Sequence, residues 1–271
     1  MMKTEKQVIL AVSFGTSYHD TREAAIGGIE RAVAAAFPQY EVRRAFTSEM
    51  IIKKLKKRDN IVVDHVREGL ERAAADGIQR LVVLPTHVMD GFEYMDVAEL
   101  VGQYENQFEQ LVLADPLLAG DEDYEAVAEA ITEETACYRD GRTAICFMGH
   151  GTEAAANAVY ERLQEKLKQD GFGDYYIGTV EAQPSLSKLA AAVKNQSGYE
   201  RVVLQPLMVV AGDHANHDMA GAQEGSWRQV FEAAGFQVIC VMKGLGELPR
   251  IQEIYVKHAK AAFDRFQSMD T

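Results

Sequence analysis

The chain has 271 residues, 47% hydrophobic and 25% charged, with 28 Lys and Arg against 41 Asp and Glu for a formal net charge of −13. A globular chain of this size buries roughly three quarters of its surface without needing a disulfide or a structural metal. The acidic balance opposes any general grip on a phosphate backbone, so nucleic acid is not expected as a partner. The three cysteines, Cys137, Cys146 and Cys240, form no CxxC pair. They support neither a disulfide framework nor a zinc knuckle, and a reducing cytoplasm is the simplest home. The N-terminal run Val8 to Val12 is too short for a signal sequence. No apolar stretch approaches the ~20 residues of a membrane helix, so no membrane association is expected.

Taken in order, a strand over 7–13 leads to a helix over 21–37, and a strand over 41–46 precedes a helix over 64–75. Strands over 80–85 and 111–114 precede a helix over 121–136. A strand over 143–148 feeds a helix over 152–169, and a strand over 175–180 feeds a helix over 186–194. Strands over 201–206 and 237–242 precede the last helix, over 249–266. Continuous apolar runs such as Leu81-Val82-Val83-Leu84 and Val202-Val203-Leu204 are the mark of buried parallel strands. Strand–helix alternation along the whole length predicts an α/β fold with parallel sheets.

The eight strands divide four and four, and the halves share ordered landmarks. Aligning Pro85 on Pro206 places Gly91 on Gly212 and Glu93 on His214. Phe14-Gly15-Thr16 matches His150-Gly151-Thr152, and Lys54-Leu55 matches Lys188-Leu189, which brings Thr47 opposite Glu181. The expectation is two similar Rossmann-like lobes, residues 1–125 and 126–271, each with a roughly four-stranded parallel sheet flanked by helices. Such lobes would face each other across a cleft, with chemistry beyond the carboxyl ends of the strands.

The usual α/β signatures are missing. There is no GxxxxGK[ST] loop, no GxGxxG after the first strand, no GxSxG and no HExxH, so nucleotide-driven, ordinary dinucleotide, serine-hydrolase and zincin chemistries are set aside. What the strand ends do carry is imidazole and carboxylate. His150 sits between two glycines where a strand gives way to a helix; by itself it reads equally well as an idle loop histidine. Ala211-Gly212-Asp213-His214-Ala215-Asn216-His217-Asp218 is the densest polar cluster in the chain. On a helix His214 and His217 would share a face and could converge on one metal; alternatively Asp213 caps a helix and both histidines are solvated. Glu181 alone is most simply a solvated loop charge. Together, two imidazoles and a carboxylate at strand ends of one lobe suit Co²⁺, Ni²⁺, Fe²⁺ or Zn²⁺. In the first half His87 and Glu93 flank the corresponding strand end, with His87 also readable as a near-core histidine. Arg43, Arg44, Lys53 and Lys54 put positive charge near Thr47 and Ser48, in the simplest reading as solvated surface charge.

These segments resemble the anaerobic cobalt chelatases of the CbiK type, class II chelatases that insert Co²⁺ into sirohydrochlorin on the way to cobalamin. The resemblance is carried by Val12-Ser13-Phe14-Gly15-Thr16-Ser17-Tyr18-His19-Asp20-Thr21, Arg44-Ala45-Phe46-Thr47-Ser48, Phe147-Met148-Gly149-His150-Gly151, Val180-Glu181, Pro206 through Ala215, and Gly244-Leu245-Gly246-Glu247. It spans nearly the whole chain. It implies two Rossmann-like lobes, a tetrapyrrole cleft, a lyase-type metal insertion and no use of ATP or another nucleotide. It also implies metal ligation by His150, Glu181 and His214, with His150, His214 and Glu93 as the catalytic groups. Ser13, Phe14, Thr16, Arg44, Thr47 and His87 fall where substrate contacts are expected. One departure is His217, which stands where the family usually has Asn and is a candidate extra ligand or a hydrogen-bond partner of Asp218.

On this reading the metal is delivered by the ligand set, the imidazoles and Glu93 take up pyrrole protons, and Arg43, Arg44, Lys53 and helix N-termini near Thr16 and Thr152 meet the eight carboxylates of sirohydrochlorin. The alternatives are a sister chelatase for Fe²⁺ or Ni²⁺ and a non-catalytic haem- or metal-binding protein of the same fold. Acidic α/β enzymes of this size often form homo-oligomers, although no stretch here marks an interface.

Overall fold

The computed structural model describes residues 7–269, and its packing divides them into two compact units. The first is built from β1 (Gln7–Ser13), α1 (His19–Thr21), a π-helical segment Arg22–Ile26 that continues into α2 (Gly27–Ala36), β2 (Glu41–Phe46), α3 (Glu49–Asp59), β3 (Asp64–His65), α4 (Val66–Ala75), β4 (Arg80–Pro85), α5 (Phe92–Tyr104) and β5 (Gln110–Leu113). Its five strands are parallel, in the order β3-β2-β1-β4-β5. The central strand β1 is buried beyond its first residue. Side chains alternate across a strand, so Val8, Leu10 and Val12 share one face. They pack with Val66, Leu70 and Ala73 of α4 and Val97, Val101 and Tyr104 of α5. β2 leaves on one side of β1 and β4 on the other. The chain therefore reverses its direction of travel at β1, and the loops after β1 and β4 open a crevice at the carboxyl ends.

The second unit repeats this plan. It comprises α6 (Asp121–Thr135), β6 (Thr143–Gly149), α7 (Ala158–Gln169), β7 (Tyr175–Thr179), α8 (Leu186–Asn195), β8 (Arg201–Pro206), a π-helical turn Ala215–Met219, α9 (Trp227–Ala233) and β9 (Gln237–Cys240). The parallel order is β7-β6-β8-β9, with its own reversal at β6. Ala144, Cys146 and Met148 of β6 and Val202 and Leu204 of β8 pack against Leu189, Val193, Trp227 and Phe231 of the covering helices. Helix starts follow from local chemistry. Ser185 and Ser226 accept from backbone N–H groups in the first turns of α8 and α9, and three acids in the first turn of α6 complement its dipole.

Four features depart from the sequence expectations. The first sheet has a fifth strand, β3, at residues expected to open a helix. Asp64 and His65 pair with Ala45 and Phe46, and the helix starts at Val66 with His65 as its cap and Glu68 accepting the His65 N–H at 2.8 Å. α3 was not foreseen because it buries Leu55 alone and so has no apolar stripe to read. The first unit gives way to the second after Ala119, rather than near 125. The last helix, α10 (Pro249–Met269), belongs from Gln252 onward to the first unit, not to a continuous 126–271 lobe. Its aromatic residues explain this: Phe263 lies 5.0 Å from Phe37 and 4.3 Å from Tyr40 between ring centroids, and Tyr255 Oη donates to the Thr86 carbonyl at 2.9 Å.

Among the described residues no helix is long and apolar enough to cross a membrane. Tyr255→Phe leaves the buried Thr86 carbonyl without that donor and is expected to cost about 1–2 kcal/mol, read as a lower urea midpoint at unchanged m-value.

Candidate active site

In the second unit the chemistry gathers where β6, β7 and β8 end. Gly149 closes β6 against the Tyr160 ring so tightly that an added Cβ would lie 2.2 Å from it, and Gly151 has φ +88°, with room for no side chain beside Ala182. Between them His150 is lifted off the sheet. Burial pushes the Tyr160 phenol up to about 12, and its oxygen accepts the Gly151 N–H at 3.2 Å, so the turn is pinned by a neutral hydroxyl. The His150 carbonyl accepts from Val180 N–H at 3.1 Å and Glu181 N–H at 2.9 Å. The loop after β7 is thereby tied to the loop after β6.

His150, Glu181 and His214 each offer one ligand atom, and these atoms all lie within 4.8 Å of one another. The two imidazoles meet edge to face at 4.8 Å between centroids, and His150 Nε2 is 3.7 Å from Glu181 Oε1. Each ring has its other nitrogen engaged. His150 Nδ1 lies 2.9 Å from the Gly151 carbonyl, and His214 Nδ1 lies 2.7 Å from Asp218 Oδ2. Both partners accept, which assigns the proton to Nδ1 and leaves both Nε2 lone pairs for a metal. All three side chains are partly exposed, so an ion held here keeps open coordination positions. Two imidazoles and one carboxylate could hold a borderline divalent cation.

His217 is outside this group. Its Nδ1 turns to the Asp213 carbonyl at 3.1 Å and lies 3.3 Å from Asp213 Oδ1. The expected shared face assumed α-helical spacing, but residues 215–219 form a wider π turn on which three residues fall well short of a full revolution. Asp218 serves His214 rather than His217. This orienting carboxylate escaped the sequence reading as a partner of His214, although its i,i+4 spacing was a usable signal.

In the first unit, Glu93 sits in the first turn of α5, where the helix dipole favours a carboxylate. Thr47 Oγ1 donates to Glu93 Oε2 at 3.4 Å, and His87 Nε2 lies 3.6 Å from the same oxygen. The His87 side chain is 10% exposed, and neither ring nitrogen makes a hydrogen bond. Thr47, Glu93 and His87 are thus brought together at the ends of β2 and β4. Phe14, just past β1, is exposed.

Other residues expected at the substrate bond within the fold. Ser13 is buried and its Oγ accepts from Thr86 Oγ1 at 2.8 Å. Thr16 is buried, with Oγ1 accepting the Tyr18 N–H. Thr152 Oγ1 accepts the Ala154 N–H in the same way. Arg44 makes a two-point pair with Glu30 at 2.7 and 2.6 Å, holding β2 to α2. Arg43 is shared between Glu41 and Asp76, and Lys53 pairs with Glu49. The arginines on β2 are consumed by the fold because their side chains leave the middle of the strand, not its carboxyl end.

Asp218→Asn is expected to weaken Co²⁺ binding about tenfold to a hundredfold, while His217→Ala changes it less than twofold; anaerobic titration calorimetry reads both. Arg44→Ala is expected to leave the substrate KM unchanged yet cost about 1–3 kcal/mol in chemical denaturation, because Glu30 loses its partner.

The cobalt chelatase (CbiK) family profile matches residues 7–264. A sirohydrochlorin cobaltochelatase of Salmonella typhimurium is 38% identical over 259 residues, covering 96% of this chain and 97% of its own length. The sirohydrochlorin cobaltochelatase CbiKC of Nitratidesulfovibrio vulgaris is 31% identical over 265 residues, covering 96% and 91%. Among solved structures, SirB from Bacillus subtilis with Fe³⁺ superposes with a TM-score of 0.64 at 11% identity, covering 95% of both chains, a likeness of fold. With a matching profile over nearly its whole length and relatives at 38% and 31% identity, this chain belongs to the CbiK family of cobalt chelatases.

Proposed function

We propose that this chain inserts Co²⁺ into sirohydrochlorin without ATP, as a cobaltochelatase of the anaerobic cobalamin route. The observation that carries the reading is the triad of His150, Glu181 and His214, with both imidazoles oriented by acceptors on Nδ1. The names of the two relatives support Co²⁺ as the substrate metal and sirohydrochlorin as its acceptor. The lack of a phosphate loop supports a reaction without nucleotide. The three free cysteines are in keeping with a reducing cytoplasm.

Insertion exchanges one M²⁺ for two pyrrole N–H protons, so charge on the macrocycle balances. His150, Glu181 and His214 hold the incoming metal as substrate, with positions left open for ring nitrogens. As the metal transfers, each Nε2 lone pair is released and can accept a proton. Neutral imidazole suits both tasks near neutral pH. Glu93 is the further proton acceptor, with its carboxylate oriented by the Thr47 hydroxyl.

Anaerobic, ATP-free metallation of sirohydrochlorin followed by absorbance tests this directly. Cobalt insertion faster than the enzyme-free control is expected, with a loss of roughly a hundredfold or more in His214→Ala. Comparison with Fe²⁺ and Ni²⁺ tests the assignment of the metal. No acceleration with any of the three, together with a Soret band in the purified protein, would replace the chelatase by a haem carrier.

A further inference from the structure

Arg43, Arg44 and Lys53 are all paired within the fold, whereas α3 carries lysines that are not. This helix does not return along the sheet in the manner of a crossover. Its entry is tied to the end of β1 by Thr47 N–H donating to the Ser13 carbonyl at 2.9 Å and Ser48 N–H to the Phe14 carbonyl at 3.3 Å. Its exit is tied to the same loop, because Arg58 Nη2 donates to the Ser17 carbonyl. The chain then forms β3 against the last two residues of β2. Both ends of α3 are therefore held at the carboxyl rim of the sheet, where ligands bind in folds of this type.

α3 is also the basic element of an acidic protein. Its sequence is Glu-Met-Ile-Ile-Lys-Lys-Leu-Lys-Lys-Arg-Asp. Leu55 is fully buried and anchors it, and at 100° per residue Met50, Lys53, Lys54 and Lys57 fall on the opposite side, within about a third of a turn. Lys53 pairs with Glu49, whereas Lys54, Lys56 and Lys57 have no ion-pair or hydrogen-bond partner among the described residues. Lysines three and four apart repel one another, so this face carries uncompensated charge that a polyanion would relieve. Beside them Met50 is 70% exposed, an apolar contact next to a row of ammonium groups.

We propose that this face of α3 is the subsite for the carboxylate periphery of the tetrapyrrole. Lys54 and Lys57 meet the side-chain carboxylates as point charges, with Lys53 and Lys56 adding to the field and Met50 lying against the apolar part of the ligand. The proposal rests on the reading of the chain as a sirohydrochlorin chelatase. It makes α3 a determinant of selectivity for acidic macrocycles over esterified or less carboxylated ones.

The test compares wild type, Lys54→Gln/Lys57→Gln, and Lys168→Gln/Lys194→Gln, a control that removes the same charge from exposed positions in the second unit. Metal-free binding of sirohydrochlorin is followed by its fluorescence at several salt concentrations, and KM and kcat are then measured with Co²⁺. The α3 pair is expected to raise Kd and KM roughly tenfold, about threefold per lysine, with kcat held within twofold and a shallower salt dependence. The control pair should change Kd less than twofold. Unchanged Kd in the α3 variant, or an equal shift in the control, overturns the proposal and leaves the face to an acidic protein partner or to a general field effect. If wild type binds sirohydrochlorin but metallates nothing, the chelatase reading fails while the binding comparison still decides the role of α3.

Discussion

The carbonyl of His150 accepts two backbone N–H donors, from Val180 at 3.1 Å and Glu181 at 2.9 Å, and the candidate metal site depends on that junction. The parallel register that pairs Gly149 with Thr179 continues past the strand ends through these bonds. Two candidate ligands from different loops thus share one rigid backbone. The third, His214, arrives from the loop after β8, the other neighbour of β6. A glycine that can lie flat on the Tyr160 ring is the covalent condition for this, since any larger residue at 149 would push the turn off the sheet. Reactive side chains stand on short loops, but the loops are positioned by buried strands.

The two units use equivalent strand ends for different chemistry. After β6, β7 and β8 come His150, Glu181 and His214; after β1, β2 and β4 come Phe14, Thr47 and the His87–Glu93 pair. The second unit thus offers lone pairs with fixed tautomers, and the first offers a hydrogen-bonded carboxylate and an exposed aromatic ring. A shared topology with divergent strand-end residues is what a duplicated fold yields when positions tolerant of change lie outside the core.

Charge is distributed by the same logic. Arg43, Arg44 and Arg72 are absorbed in pairs with Asp76, Glu30 and Asp64 that join strands to helices or to the loop after one, and Arg139 pairs with Asp174 between two loops. Arginine suits that work because its planar fork meets a carboxylate at two points. Lysine, a solvated point charge on a flexible stem, is what α3 displays. In a chain of net charge −13, free positive charge concentrated on one rim helix is a local exception to the overall field.

Much of this was legible in the residues themselves. Buried parallel strands announce themselves as unbroken apolar runs, so β1, β4 and β8 were legible to the residue. Aligning Pro85 with Pro206 already set Glu93 against His214, and glycines around His150 marked a turn. What could not be read was whatever lacked a local period. β3 is two residues long, and α3 buries one side chain. Nor does a side chain disclose its partner: nothing in the sequence pairs Arg44 with Glu30 or turns His217 to Asp213. The alternation of strands and helices, and the imidazole and carboxylate groups at strand ends, follow from hydrophobic pattern and residue identity alone. Which groups meet is a property of the folded chain, since contacts between residues tens of positions apart are set by strand order and helix docking, neither of which has a signature in local sequence.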